Sequence, residues 1–307
     1  MTRQLPQKGE IFLDHVAHFV PDLARASTFF ERIGFRLTPF TEQRNRTPEG
    51  LVSAGMANRC AMLREGYLEL LTAVGDTELA GQFHAATDRY VGLHLIAFSL
   101  ADPQAAHATL VTEGFKPRAP VTLTRPVEDP QGETREARFT VLRVPPEAMP
   151  EGRVQVLQHH TEELVWQERR LTHDNGVVSL KGVLLVVADP EETARRFGRF
   201  VGRAPRRRDA RWLLDLDRGA CVFVAPEDLD SVAPGVGVAP SAARPSPPVI
   251  VATALGSSDT ELTRDRFQAG GLEATMPAPG EALYRFPPEL GGSASVVPLE
   301  ASVSWLS

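Results

Sequence analysis

Two polar residues of this chain are hard to explain as packing. Glu69 lies in the apolar run Tyr67-Leu68-Glu69-Leu70-Leu71, and His15 lies in Phe12-Leu13-Asp14-His15-Val16-Ala17-His18-Phe19-Val20. Both runs have strand character, and both residues fall on the face where a core side chain is expected. A carboxylate or an imidazole is costly to bury without a partner, so two of them on flanking strands point to a shared one. Each donates lone pairs, which makes the pair a sound start for a divalent metal site.

The elements that must position these residues recur along the chain. The strand at 12–20 leads to Asp22, a helix N-cap, and the helix closes at Gly34-Phe35. Strand-like runs follow near 36–40, 59–64 and 66–72, so the unit is βαβββ. A second unit opens at Gly92, with Asp102 as cap and Gly114-Phe115 as stop, then strands near 120–125, 136–144 and 152–158. Asp22 to Gly34, Asp102 to Gly114 and Asp259 to Gly271 all span twelve residues. A third unit starts at Gly182 with cap Asp189, and a fourth at Val249 with cap Asp259. Segments 165–178 and 239–248 read as linkers, the second rich in proline and serine.

Composition sets the outer bounds. The chain has 307 residues, 42% hydrophobic, enough for a real core, and its 25 prolines and 24 glycines imply short elements. A net charge of −6 argues against a nucleic-acid surface, and the basic run Arg206-Arg207-Arg208 reads as a solvated loop. Cys60 and Cys221 fit a reducing compartment rather than a disulfide framework. No apolar N-terminal core and no membrane-length run is visible, so a cytoplasmic protein without membrane contact is expected.

The motifs Leu13-Asp14-His15-Val16-Ala17, Pro21-Asp22-Leu23, Phe29-Phe30, Gly34-Phe35 and Tyr67-Leu68-Glu69-Leu70-Leu71-Thr72 resemble the vicinal oxygen chelate superfamily. That superfamily includes glyoxalase I, extradiol dioxygenases and drug-resistance proteins. Within it the N-terminal half is similar to the glyoxalase-like-domain proteins, and Gln158 to Trp166 reads like the end of their second module. The resemblance covers residues 11–166 and is faint beyond 177. It implies an α+β fold of four βαβββ modules forming two paired, curled mixed β-sheet clefts. Residues 11–166 would be the pair with the candidate active site, and 177–301 a degenerate pair. It also implies a divalent metal (Zn, Fe, Mn or Ni) held by the first and last strands of each module.

The repeat's register tests that ligand set. Counting back seven from Asp22 leads to His15, whereas seven back from Asp102 leads to Leu95, one residue past His94. Strand alternation turns His94 away from the cleft unless a bulge near 100–102 restores it. Aligning Glu69-Leu70-Leu71-Thr72 on Gln158-His159-His160-Thr161 sets Gln158 opposite Glu69. The expected metal set is therefore His15, Glu69, His94 and Gln158 with the bulge, or His15, Glu69 and Gln158 without it. His18 has the wrong parity, and only one of His159 and His160 can face inward. The positions matching His15 in the second half are Gly182 and Ala252, and those matching Glu69 lie near Val222 and Ser295. None of them binds metal, which departs from the pattern of four-module extradiol dioxygenases.

Arg125 and Arg138 are candidates for clamping a substrate carboxylate or phosphate, against a bland alternative as solvent-facing strand residues. Trp166 either caps the pocket or packs between domains. With Gln158 unable to act as a base, Glu69 would be both ligand and proton shuttle. The expectation is a metal-dependent lyase or isomerase, rather than a dioxygenase, acting on a small oxygenated metabolite as a monomer or homodimer. The rival is a metal-free protein that binds or sequesters a small molecule.

Overall fold

Four aspartates start the four long helices of the repeat. Asp22, Asp102, Asp189 and Asp259 each accept a hydrogen bond from the backbone N–H three residues on, at 2.9–3.0 Å. This satisfies an N–H that the first helical turn leaves without a partner. The computed structural model describes residues 3–47, 50–237 and 246–307.

The first unit is β1 (Ile11–Phe19), α1 (Leu23–Arg32), β2 (Thr41–Thr47), β3 (Gly50–Met62) and β4 (Tyr67–Ala73). A helix the sequence reading did not anticipate, α2 (Glu78–Arg89), leads to the second unit. That unit is β5 (Gly92–Leu100), α3 (Pro103–Thr112), β6 (Val121–Glu128), β7 (Thr134–Arg143) and β8 (Arg153–His159), followed by the short α4 (Glu162–Val165). The third is β9 (Val177–Val186), α5 (Pro190–Val201), β10 (Arg206–Arg208), β11 (Arg211–Asp215) and β12 (Ala220–Val224), with α6 (Leu229–Val232) behind it. The fourth is β13 (Val249–Ser257), α7 (Thr260–Ala269), β14 (Ala274–Ala278), β15 (Glu281–Arg285) and β16 (Ser293–Pro298).

In the first two units the strands run in the order β1-β4-β3-β2-β6-β7-β8-β5, and β5 pairs back onto β1. Eight strands thus close into a barrel, sealed on one side by the two residue pairs of β2 and β6. Its inner face carries Ala17, Phe19, Leu71, Leu95, Leu123, Val141 and Leu157. Helix α1 packs outside, burying Leu23, Ala26, Phe29 and Phe30 against the larger core shared with the second half. The last two units continue the sheet through β13, whose bridge from Ile250 to Leu93 joins the halves.

Two segments differ from their expected character. Residues 165–178 are packed rather than solvated: His173 Nε2 donates to the Met62 carbonyl at 2.8 Å and Asn175 Nδ2 to that of Ile33 at 3.0 Å. The run Arg206-Arg207-Arg208 is the exposed edge strand β10, with Arg206 Nε on Asp215 at 2.6 Å. Of the proposed linker 239–248, residues 239–245 lie outside the described residues.

Candidate active site

β1 does not run evenly past β5. Leu13 pairs with Phe98 and His15 with Ala97, so Asp14 is an extra residue without an opposite number. The bulge turns both Asp14 and His15 inward. Gly66, at φ +76°, allows the next turn to pass: a Cβ there would lie 2.8 Å from the Asp14 carbonyl oxygen.

Asp14 is fully buried and joins two histidines. His15 Nδ1 donates to Asp14 Oδ1 at 2.6 Å, and His159 Nε2 donates to Oδ2 at 3.0 Å. Burial alone would push the carboxyl up. The charge of His159 and the hydrogen bonds from both rings outweigh it and hold Asp14 well below the usual carboxylate range. With Nδ1 donating, His15 presents the lone pair of Nε2 to the barrel interior, 3.6 Å from Glu69 Oε2. Asn58 Nδ2, and Gln43 Nε2 at 3.4 Å, donate to the other carboxylate oxygen, Oε1. Tyr67 stacks on His15 with ring centroids 4.2 Å apart. Two lone-pair donors therefore face one another, each oriented from behind by a buried hydrogen bond. A 3.6 Å span suits two ligands sharing one ion at bonds of about 2.0–2.2 Å.

His94 does not join them. The matching bulge in β5 falls on His94 itself, since Ala17 pairs with Leu95 and His18 with Leu93. No bulge at 100–102 turns it inward. His94 is thus the counterpart of Asp14, both eight residues before their caps, and Leu95 is the counterpart of His15. Its ring stacks on Tyr90 with centroids 3.8 Å apart, and Nε2 donates to the Tyr90 carbonyl at 2.7 Å. Burial pulls the His94 imidazole down to about 4.

Gln158 is also misplaced by the sequence alignment. In the first unit Ala17 is opposite Glu69, and in the second Ala97 is opposite Gln155. Gln155 is therefore the residue matching Glu69 and it lines the cavity, while Gln158 turns outward and donates to the Ala101 carbonyl at 2.6 Å. The signal was present in the sequence: Val154-Gln155-Val156-Leu157 repeats Leu68-Glu69-Leu70-Leu71, three residues earlier than the alignment chosen. The wrong parity of His18 is as the sequence implies, for it packs against Phe30 and Phe286. Of the adjacent histidines, His159 faces inward and His160 is exposed. Trp166 neither caps the pocket nor separates domains; it packs edge-on behind His159, centroids 4.6 Å apart.

Arg125 lines the cavity, its guanidinium over the Phe139 ring at 5.4 Å and its buried Nε without an acceptor among the described residues. Arg138 is exposed and contributes only backbone bonds to the Thr161–His160 turn. Two arginines that the sequence did not single out, Arg143 and Arg153, lie on the inner wall instead. Among the described residues no three His, Cys, Asp or Glu side chains converge as a metal cluster. Gln155 and Leu95 line the same cavity at the positions that match Glu69 and His15.

The described residues of the second half form no such site. Its ladders set Val222 opposite Leu184 and Ser295 opposite Ala254, the positions that Glu69 and Ala17 hold in the first unit. Its cleft is filled by the fully buried Trp305, packed with Leu184, Val222, Ala252 and Ala254. The indole Nε1 donates to Ser295 Oγ at 3.2 Å.

The model of the glyoxalase-like domain family matches residues 13–201, more than half of the chain. The protein belongs to that family, within the vicinal oxygen chelate superfamily. The match extends past the first two units into β9 and α5. No curated protein matches the sequence significantly. Among solved structures, a hypothetical protein from Staphylococcus aureus is similar with TM-score 0.62 at 12% identity, over 94% of this chain and 100% of that one. A mutant 4-hydroxymandelate synthase from Streptomyces coelicolor gives 0.57 at 10% identity, over 96% and 94%. A Mn(II)-bound glyoxalase from Novosphingobium aromaticivorans gives 0.55 at 12% identity, over 99% and 86%. At these identities the likeness is one of fold.

Proposed function

We propose that this chain is a metal-dependent enzyme of the glyoxalase-like kind, acting on a small metabolite held through two adjacent oxygens. The observation that carries the reading is the opposition of His15 Nε2 and Glu69 Oε2 at 3.6 Å, with Asp14 and Asn58 fixing each from behind. The Mn(II) bound by a glyoxalase of the same fold supports it. A bound Zn, Fe, Mn or Ni ion would supply Lewis acidity to the two substrate oxygens. With few protein donors, the site leaves room for those oxygens. Glu69 is the one carboxylate among the described cavity-lining residues, so it is the group to accept a proton from the substrate. Gln155, at the matching position, has no such capacity, and the proton would leave and return through Glu69. An isomerase or lyase reaction fits this arrangement better than a dioxygenation. Residues 11–166 would act as the catalytic pair and 177–301 as its buttress, through contacts such as Ile11 N to Asp217 Oδ2 at 2.8 Å.

One observation favours a second reading, metal-free binding of a small molecule: Leu95 occupies the position where the repeat would place a second histidine. Elemental analysis of chelator-free, untagged protein separates the two. Close to stoichiometric transition metal, lost in both His15→Ala and Glu69→Ala, supports the enzyme. Wild-type protein that holds no metal and takes up none overturns it.

A further inference from the structure

The cavity beside His15 and Glu69 has the opposite charge to the chain that contains it. The protein carries a net −6, yet Arg44, Arg125, Arg143 and Arg153 line this chamber, with Glu69 as the one carboxylate among its described residues. Arg143, at the end of β7, is opposite Gln155, and Arg153, at the start of β8, is opposite Leu95, so both flank the position that matches Glu69.

Neither arginine has an ion-pair partner among the described residues. Arg143 Nε donates to Gln155 Oε1 at 3.2 Å. Arg153 Nη2 donates to the Leu79 carbonyl at 3.3 Å, and its guanidinium lies 5.1 Å from the Phe19 ring centroid. A guanidinium has five N–H donors, so most of this donor capacity has no acceptor among the described residues. Burial, with repulsion from Arg143, pulls Arg153 down to about 9; burial, with repulsion from Arg118, pulls Arg143 down to about 10. Two neighbouring, partly buried cations with only Glu69 as an opposing charge nearby are costly, and an anion between them relieves that cost.

Their location adds a second constraint. Val141, Arg143 and Arg153 line both the inner chamber and a larger outer cavity walled by α2. The inner chamber, about 60 Å³, admits only a small head group. The outer, about 740 Å³, has Phe19, Leu79, Ala86 and Met149 among its walls.

We propose that the ligand is an organic acid whose carboxylate binds to Arg143 and Arg153 where the two chambers meet, with an apolar remainder in the outer cavity. Its adjacent oxygens would reach His15 and Glu69; that clause rests on the functional reading above, whereas the anion site does not.

The test is isothermal titration calorimetry of the full chain with phenylacetate and hexanoate beside their neutral amides, after chelator treatment and again with Mn(II). The acids are expected to bind the chelator-treated protein about tenfold or more tighter than the amides, as a charge-assisted bond predicts. R143Q and R153Q should each weaken acid binding by about tenfold or more, R143K and R153K by less, and R138Q, on an exposed residue outside both chambers, should leave it unchanged. Equal affinity for acid and amide, no binding of either acid, or undiminished acid binding in folded R143Q and R153Q would overturn the proposal. If the glutamine variants do not fold, the acid–amide contrast in wild type and the lysine variants decides it. Acid binding without metal uptake keeps the anion site and removes the metal reading, while metal uptake without acid binding does the reverse.

Discussion

Replacing Asp14 by asparagine tests the site at the point where structure and chemistry are most tightly joined. The side chain keeps its shape but loses its charge, so both charge-assisted bonds, from His15 Nδ1 at 2.6 Å and His159 Nε2 at 3.0 Å, are lost as such. Each contributes about 1.5–3 kcal/mol. The amide oxygen retains one neutral hydrogen bond, and removing a buried charge relieves some desolvation, so the net loss should be about 2–4 kcal/mol. Urea denaturation at neutral pH reads it as a lower midpoint with an unchanged slope. The substitution also releases the tautomer of His15, so that Nε2 carries the proton part of the time. Metal affinity should fall by about 10–100-fold, measured by competition with a chromophoric chelator. A variant within about 0.5 kcal/mol of wild type in urea and equal to it in metal affinity would refute the reasoning, since surface substitutions alone produce changes that small.

Other outcomes follow from the same geometry. His18, His94 and His173 are each pulled down to about 4 by burial. The unfolded chain therefore binds more protons between pH 6.5 and 4, so their stabilising contribution is full above pH 6.5 and lost as pH falls towards 4, by up to roughly 3 kcal/mol each. Urea midpoints across that range should drop steeply and less so in His94→Gln; a flat profile would refute the burial argument. Gln155→Ala should alter metal or ligand affinity and Gln158→Ala should not, with the opposite result pointing to the original sequence alignment. Leu95→His should tighten metal binding, because its backbone position matches that of His15; unchanged affinity by chelator competition would show that the two halves of the barrel are not equivalent there. Trp305→Ala should destabilise the protein by about 3–5 kcal/mol without changing ligand affinity in the first cleft, read by urea denaturation and calorimetry.

The parts legible in the sequence are those with short-range causes. An aspartate that caps a helix and a glycine that ends it lie a helix length apart, so Asp22, Asp102, Asp189 and Asp259 marked four units before any contact was known. Apolar runs and strand parity then placed His15 and Glu69 in the first barrel and excluded His18. They also showed that Gly182, Ala252, Val222 and Ser295 leave the second half without ligands. What the tertiary structure decided depends on pairing between strands. A bulge shifts one residue against its neighbour, and counting along a single strand cannot say where the shift falls. That is why Asp14 and His94 occupy equivalent positions while only Asp14 reaches the site; Gln155, by contrast, was legible in the repeat of Leu68-Glu69-Leu70-Leu71 by Val154-Gln155-Val156-Leu157, and strand pairing confirms it. Arg143 and Arg153 are ordinary strand-end residues until barrel closure turns them towards one enclosed space. Trp305 fills the second cleft through long-range packing that no local pattern announces, because the energy that holds it there comes from side chains supplied by other strands.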